Sequence, residues 1–229
     1  MTEKKPRQPR KSKKQAAQEA AEAAYAQGVM HHTLGNKEAS LAALEKALSL
    51  KPDYPPAVMT MASIDYQREQ QDQGKQRLFS LLKLPRDTED LVTIIDEAGS
   101  FLMSISEFAD GLELYREAAK KFPEVPAFQQ GLACCAGQEG LFDEALKASQ
   151  RAIDLDPANA AYVSDMGWTL VLAERFRDAE AAFQRALEID PSNERAQMNL
   201  QYCREQLSQE SPARPESSAA PAKKRKSRS

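Results

Sequence analysis

Few residues in this chain are of the types that do covalent or metal chemistry, and their spacing limits what they offer. The 229 residues include two histidines, His31 and His32, and three cysteines, Cys134, Cys135 and Cys203. Neighbours on a helix project about 100° apart, so the adjacent histidines do not converge on one ion. They also lack the Cys or carboxylate frame of a zinc site. Cys134-Cys135 offers a soft-metal pair or a strained vicinal bond, whereas small buried thiols are the commoner use of such residues. Three cysteines form no disulfide framework and point to a reducing compartment. Acidic pairs such as Glu107 and Asp110 lie on polar helix faces, where carboxylates serve solvation. Neither G-x-x-x-x-G-K-[ST] nor G-x-G-x-x-G occurs. No catalytic constellation emerges, so the chain is read as non-enzymatic, with no cofactor and no metal site implied.

The elements that would position any site announce themselves by repetition. FRDAEAAFQRALEIDPSN (176–193) follows FDEALKASQRAIDLDPAN (142–159) by 34 residues, and FADGLELYREAAKKFPEV (108–125) lies another 34 upstream. KEASLAALEKALSLKPDY (37–54) sits 71 residues before that, which is two periods plus three. QDQGKQRLFSLLKLPRDT (71–88) fills the gap, with Gly74, Leu78 and Leu81 in phase and Pro85 one place early. The second unit is therefore degenerate, with about three extra residues before the third. Within each unit two runs carry apolar residues at i, i+3, i+4 and i+7, the pattern of paired amphipathic helices. Gly167 and Ala179 allow close approach, Phe183 fills the space beside them, and Pro191 stops the second helix. Strand signals are absent.

The period and these residues resemble the tetratricopeptide repeat. The resemblance rests on Val163, Met166-Gly167, Leu170, Ala179, Phe183, Ala186 and Pro191 in the fifth unit. The fourth contributes Leu132-Ala133, Ala136, Ala145, Ser149, Ala152 and Pro157, and the third Ala98-Gly99, Leu102, Gly111, Tyr115, Ala118 and Pro123. The first contributes Gly28, His31, Ser40, Leu44, Ala47 and Pro52, with His31 in place of the usual Tyr. The resemblance implies an all-α, right-handed superhelical solenoid of antiparallel helix pairs over residues 15–208. Its repeats are expected at about 21–54, 55–91, 92–125, 126–159 and 160–193, followed by a capping helix at 194–207. Such units are stabilised mainly by their neighbours.

The family lines its concave groove with the first helix of each unit. Carried over by phase, that places Tyr25, Met59, Tyr66, Asp96, Met103, Gln130, Cys134, Ser164, Trp168 and Val171 in the groove, with Arg195, Met198 and Tyr202 from the cap. The set is poor in charge and rich in aromatics and methionine, side chains suited to anchoring a partner. The Lys and Asn clamp by which some members hold the acidic tail of heat-shock chaperones has no match at Tyr25/Val29, Asp96/Ser100, Gln130/Cys134 or Ser164/Trp168. An apolar groove of this kind is similar in type to that of small bacterial chaperones of secreted translocators.

Charge is unevenly placed. Residues 1–14 hold seven Lys/Arg against one Glu and 211–229 hold six against one, while 15–210 hold 18 against 32 Asp/Glu. The two basic tails, 1–14 and 209–229, contain almost nothing to bury and are expected to be disordered. They either solubilise the chain or attach it to nucleic acid, a ribosome or an anionic surface. Lys223-Lys224-Arg225-Lys226 would suit nuclear import in a eukaryote. No apolar h-region and no membrane span is apparent, so a cytoplasmic location is expected. The combined reading is an adaptor or chaperone that takes an apolar peptide or amphipathic helix of another protein in its groove. The alternatives are a nucleic-acid- or ribosome-associated factor held by its tails, and an accessory subunit of an enzyme or secretion assembly.

Overall fold

The computed structural model describes residues 12–210, and the basic segments 1–11 and 211–229 lie outside the described residues. All regular structure among the described residues is helical. The chain divides into two compact units, residues 1–158 and 159–229. The first holds α1 (Lys13–Thr33), α2 (Lys37–Leu50), α3 (Pro55–Gln67), α4 (Gln71–Ser80), α5 (Leu91–Ser104), α6 (Phe108–Lys121), α7 (Pro126–Gln138) and α8 (Phe142–Leu155). The second holds α9 (Ala160–Leu172), α10 (Phe176–Ile189) and α11 (Glu194–Glu210). Consecutive helices pair as hairpins, α1 with α2, α3 with α4, α5 with α6, α7 with α8 and α9 with α10. The fold class is an all-α helical repeat solenoid.

Local chemistry sets the ends of these helices. Ser12 and Gln15 form a reciprocal capping box, with Gln15 N donating to Ser12 Oγ (3.2 Å) and Ser12 N donating to Gln15 Oε1 (3.0 Å). This satisfies two backbone donors and starts α1 at Lys13. Residues 12–14, expected in the basic tail, therefore belong to the helical body, and at the other end α11 runs on to Glu210. Proline opens α3 and α7, where its missing N–H costs nothing. Asn159 caps α9 by accepting from Ala161 N (3.1 Å).

The hairpin turns share one device. Gly35, Glu69, Ser106, Gly140 and Glu174 all adopt positive φ, between 57° and 76°. The residue after each donates its N–H five residues back, as in Asn36 to His31, Gln70 to Asp65, Glu107 to Leu102, Leu141 to Ala136 and Arg175 to Leu170, at 2.8–2.9 Å. These are Schellman caps, which turn the chain sharply enough to lay the second helix on the first. They recur at intervals of 34, 37, 34 and 34 residues, so the extra three residues lie between Glu69 and Ser106.

Small residues let the helices meet. A Cβ on Gly99 would fall 2.3 Å from the Tyr115 ring and one on Gly131 would fall 2.2 Å from it. The ring is thus sandwiched between α5 and α7, fully buried, with its hydroxyl donating to Asp96 Oδ1 (3.0 Å). In the second unit Phe183 occupies the equivalent recess beside Gly167, where a Cβ would meet it at 2.7 Å. In the first hairpin Leu44 plays that part beside Gly28, at 2.9 Å. Cores of this density lose several kcal/mol when a buried aromatic ring is truncated.

Candidate functional site

Each first helix buries one face on its partner and leaves another uncovered, and what stands on the uncovered face is the candidate site. In the second unit α9 exposes Trp168, at 40% of its surface. The reason lies in rotation about the helix. Val163, Gly167, Leu170 and Val171 turn inward, whereas Trp168 stands on the other side with Ala161. The cap α11 buries Ala196, Leu200 and Cys203 and exposes Met198 (66%) and Tyr202 (41%). Because α9 and α11 each pack antiparallel to α10, they run in the same direction. Arg195 Nη1 lies 3.1 Å from Asp165 Oδ1 and ties the two together. One turn further on, Trp168 and Met198 follow the paired residues on their respective helices, and Tyr202 follows another turn on. The Tyr202 ring packs edge-on against Phe176, at 6.4 Å between centroids.

Not every residue expected in the groove stands on an uncovered face. Ser164 and Val171 are buried at 2% and 7%, so they pack the helix pair and present nothing to a partner. Each lies only about 40–60° round the helix from Trp168, on the side toward Val163 and Gly167, and that is enough to bring it under cover. Tyr66 is likewise buried. Its ring fills the space above Gly74, its hydroxyl donates to Asp110 Oδ2 (2.7 Å), and it meets Phe101 edge-on. Asp96 accepts from Tyr115, and burial raises its carboxyl above the usual range. Met103 is half-buried against the core. Gln130 Nε2 lies 3.4 Å from Cys134 Sγ, and both are half-buried.

In the first unit Tyr25 and Met59 line a cleft of about 710 Å³ made by α1, α3 and α5. Pro56 and Thr93 also line it. The Tyr25 ring meets Tyr54 edge-on at 5.7 Å, and Lys51 Nζ lies 5.7 Å over the Tyr54 ring. Lys51 also donates to Gln18 Oε1, drawing the end of α2 toward α1. Lys51, Tyr54 and Glu89 are lining residues that phase along the first helices does not find, because they sit in the connections before α3 and α5. Gln18 lines the cleft because α1 begins early.

Two of the three cysteines, Cys135 and Cys203, are buried. Burial pushes the Cys135 thiol up to about 12, so it stays protonated and unreactive. Cys203 is also buried, and burial raises its thiol. No group of three or more His, Cys, Asp or Glu among the described residues is placed to hold a metal ion, and no described helix is long and apolar enough to cross a membrane.

No curated protein matches the chain in sequence. Tetratricopeptide repeat family profiles match residues 21–54, 99–160 and 136–201, together more than half of the chain. Among solved structures, the fold is similar to that of YrrB, described as a TPR protein with an unusual peptide-binding site. The TM-score is 0.54 at 20% identity, covering 82% of this chain and 97% of that one. It is also similar to the MamA protein, at TM-score 0.52 and 17% identity over 76% of this chain and 93% of that one. The Sgt2 TPR domain from Aspergillus fumigatus gives TM-score 0.50 and 19% identity over 61% and 98%. With family profiles over more than half of the chain and helix hairpins that recur at intervals of 34 to 37 residues, this chain belongs to the tetratricopeptide repeat family.

Proposed function

We propose that this protein is a non-enzymatic adaptor or chaperone that binds an apolar peptide or amphipathic helix of a partner protein on the uncovered faces of its first helices. The observation that carries the reading is the exposure of Trp168 beside Met198 and Tyr202. A tryptophan left two-fifths open, in a helix pair that fills its core with Leu170 and Phe183, contributes less to packing and more to a partner. The cleft lined by Tyr25 and Met59 supports a second contact region in the first unit, since small amphipathic clefts of this size take a few side chains. The experiment is paired: thermal melting and partner capture for Trp168→Ala. The reading expects capture to fall, by the equivalent of about 2 kcal/mol or more, with the melt unchanged. A collapsed melt makes Trp168 a packing residue, and unchanged capture moves the partner to another surface.

A further inference from the structure

The degeneracy of the second repeat has a structural product. The second helices α2, α6, α8 and α10 each have 14 residues, but α4 has 10. Where the others continue, the chain tightens into a short turn at Leu81–Lys83 and then departs toward α5. The break is well held. Leu81 and Leu84 are buried, Lys121 Nζ donates to the carbonyls of Leu82 and Leu84, and Arg86 donates to the Lys121 carbonyl (2.6 Å). The Arg86 guanidinium also lies 5.1 Å over the Phe122 ring. The shortened helix leaves a recess of about 640 Å³ against α6, lined by Phe79, Leu82, Lys83, Glu117, Lys120 and Lys121.

The floor of this recess is apolar. Phe79 and Leu82 are half-buried and rest on the core. Its rim holds three ammonium groups against one carboxylate, on a body that is otherwise strongly acidic. Lys121 is committed to the two carbonyls, but Lys83 and Lys120 are exposed and have no acidic partner among the described residues. We infer that the recess docks an acidic, apolar segment of a partner protein, with a Phe or Leu seated on Phe79 and Leu82 and flanking Asp or Glu paired to Lys83 and Lys120. The volume suits a few side chains, and the charge pattern selects the sign of the segment. An anionic membrane fits less well, because α6 also presents the exposed carboxylates Glu113 and Glu117 beside the recess. This surface is built from the second helices α4 and α6 and shares no residue with the Trp168 face.

The test uses the full-length chain and a fluorescein-labelled peptide in which Phe and Leu are flanked by Asp and Glu, read by fluorescence anisotropy. The double variant Lys83→Glu/Lys120→Glu should melt as wild type, because both amines are exposed, and bind about tenfold or more weakly. Should its melt fall, Lys83→Gln/Lys120→Gln removes the charges without adding repulsion and must still weaken binding. A peptide with Asn and Gln in place of its acids should bind more weakly than the acidic one, and Trp168→Ala should bind the acidic peptide normally. Equal binding by the Glu or Gln double variant places the peptide elsewhere, such as on the basic termini, and overturns the inference. So does equal binding of the neutral peptide, absence of peptide binding, or binding of phosphatidylserine–phosphatidylcholine vesicles in its place.

Discussion

Backbone conformation at single residues carries much of this architecture. Three of the five hairpin turns place a non-glycine residue, Glu69, Ser106 or Glu174, at positive φ. An L-residue pays about 1–2 kcal/mol there, part of which glycine recovers. Glu174→Gly is expected to raise stability by up to about 1 kcal/mol, and Gly140→Ala to lower it by about the same amount. Opposite shifts in the denaturation midpoint check both, and a loss in Glu174→Gly would mean that the Glu174 side chain stabilises the turn. Asp96 gives a pH signature. Burial raises its folded-state carboxyl above the unfolded value, so its favourable contribution is present below the unfolded pKa near 3.9 and is lost as pH rises through the folded one. Asp96→Asn keeps an acceptor for the Tyr115 hydroxyl and removes the ionisation. It should be at least as stable as wild type at neutral pH, with that advantage vanishing toward roughly pH 4. A variant less stable at neutral pH than at acid pH, relative to wild type, would contradict this.

At the scale of elements, several helix pairs are held by a large side chain seated in a glycine recess. Gly131→Ala forces a methyl group into the Tyr115 ring from α7 and should cost about 1–3 kcal/mol, measured by urea denaturation. A neutral result would mean that α5, α6 and α7 shift apart freely. These recesses were legible in the sequence, because a small residue and a large one recur in a fixed phase, as Gly28 with Leu44, Gly99 with Tyr115, and Gly167 with Phe183. The turn device was not. Its five positions are filled by Gly, Glu, Ser, Gly and Glu, which share a conformation and no side-chain chemistry. Nor was the exposure of each groove position. Val171 and Trp168 lie on the same helix and both read as inward, yet the roughly 60° between them buries one and opens the other. Lys51 and Tyr54 escaped because phase along first helices says nothing about the connections. The recess at Phe79 and Leu82 escaped because sequence marks α4 as irregular without saying where the chain goes after it breaks.

At the scale of the molecule, composition and period together point to a helical repeat, since the same small-and-large pattern recurs through a body with few reactive side chains. The proposed adaptor role rests on a surface in place of a reactive centre, and the only tryptophan of the chain reports on that surface directly. The decisive measurement is the fluorescence of Trp168 in the free protein and after its partner has been captured and added back, read as emission maximum and acrylamide quenching. The account predicts a red-shifted, readily quenched tryptophan in the free protein that becomes blue-shifted and protected in the complex. An emission already blue-shifted and shielded in the free protein, or one that stays open to acrylamide with the partner bound, would contradict it.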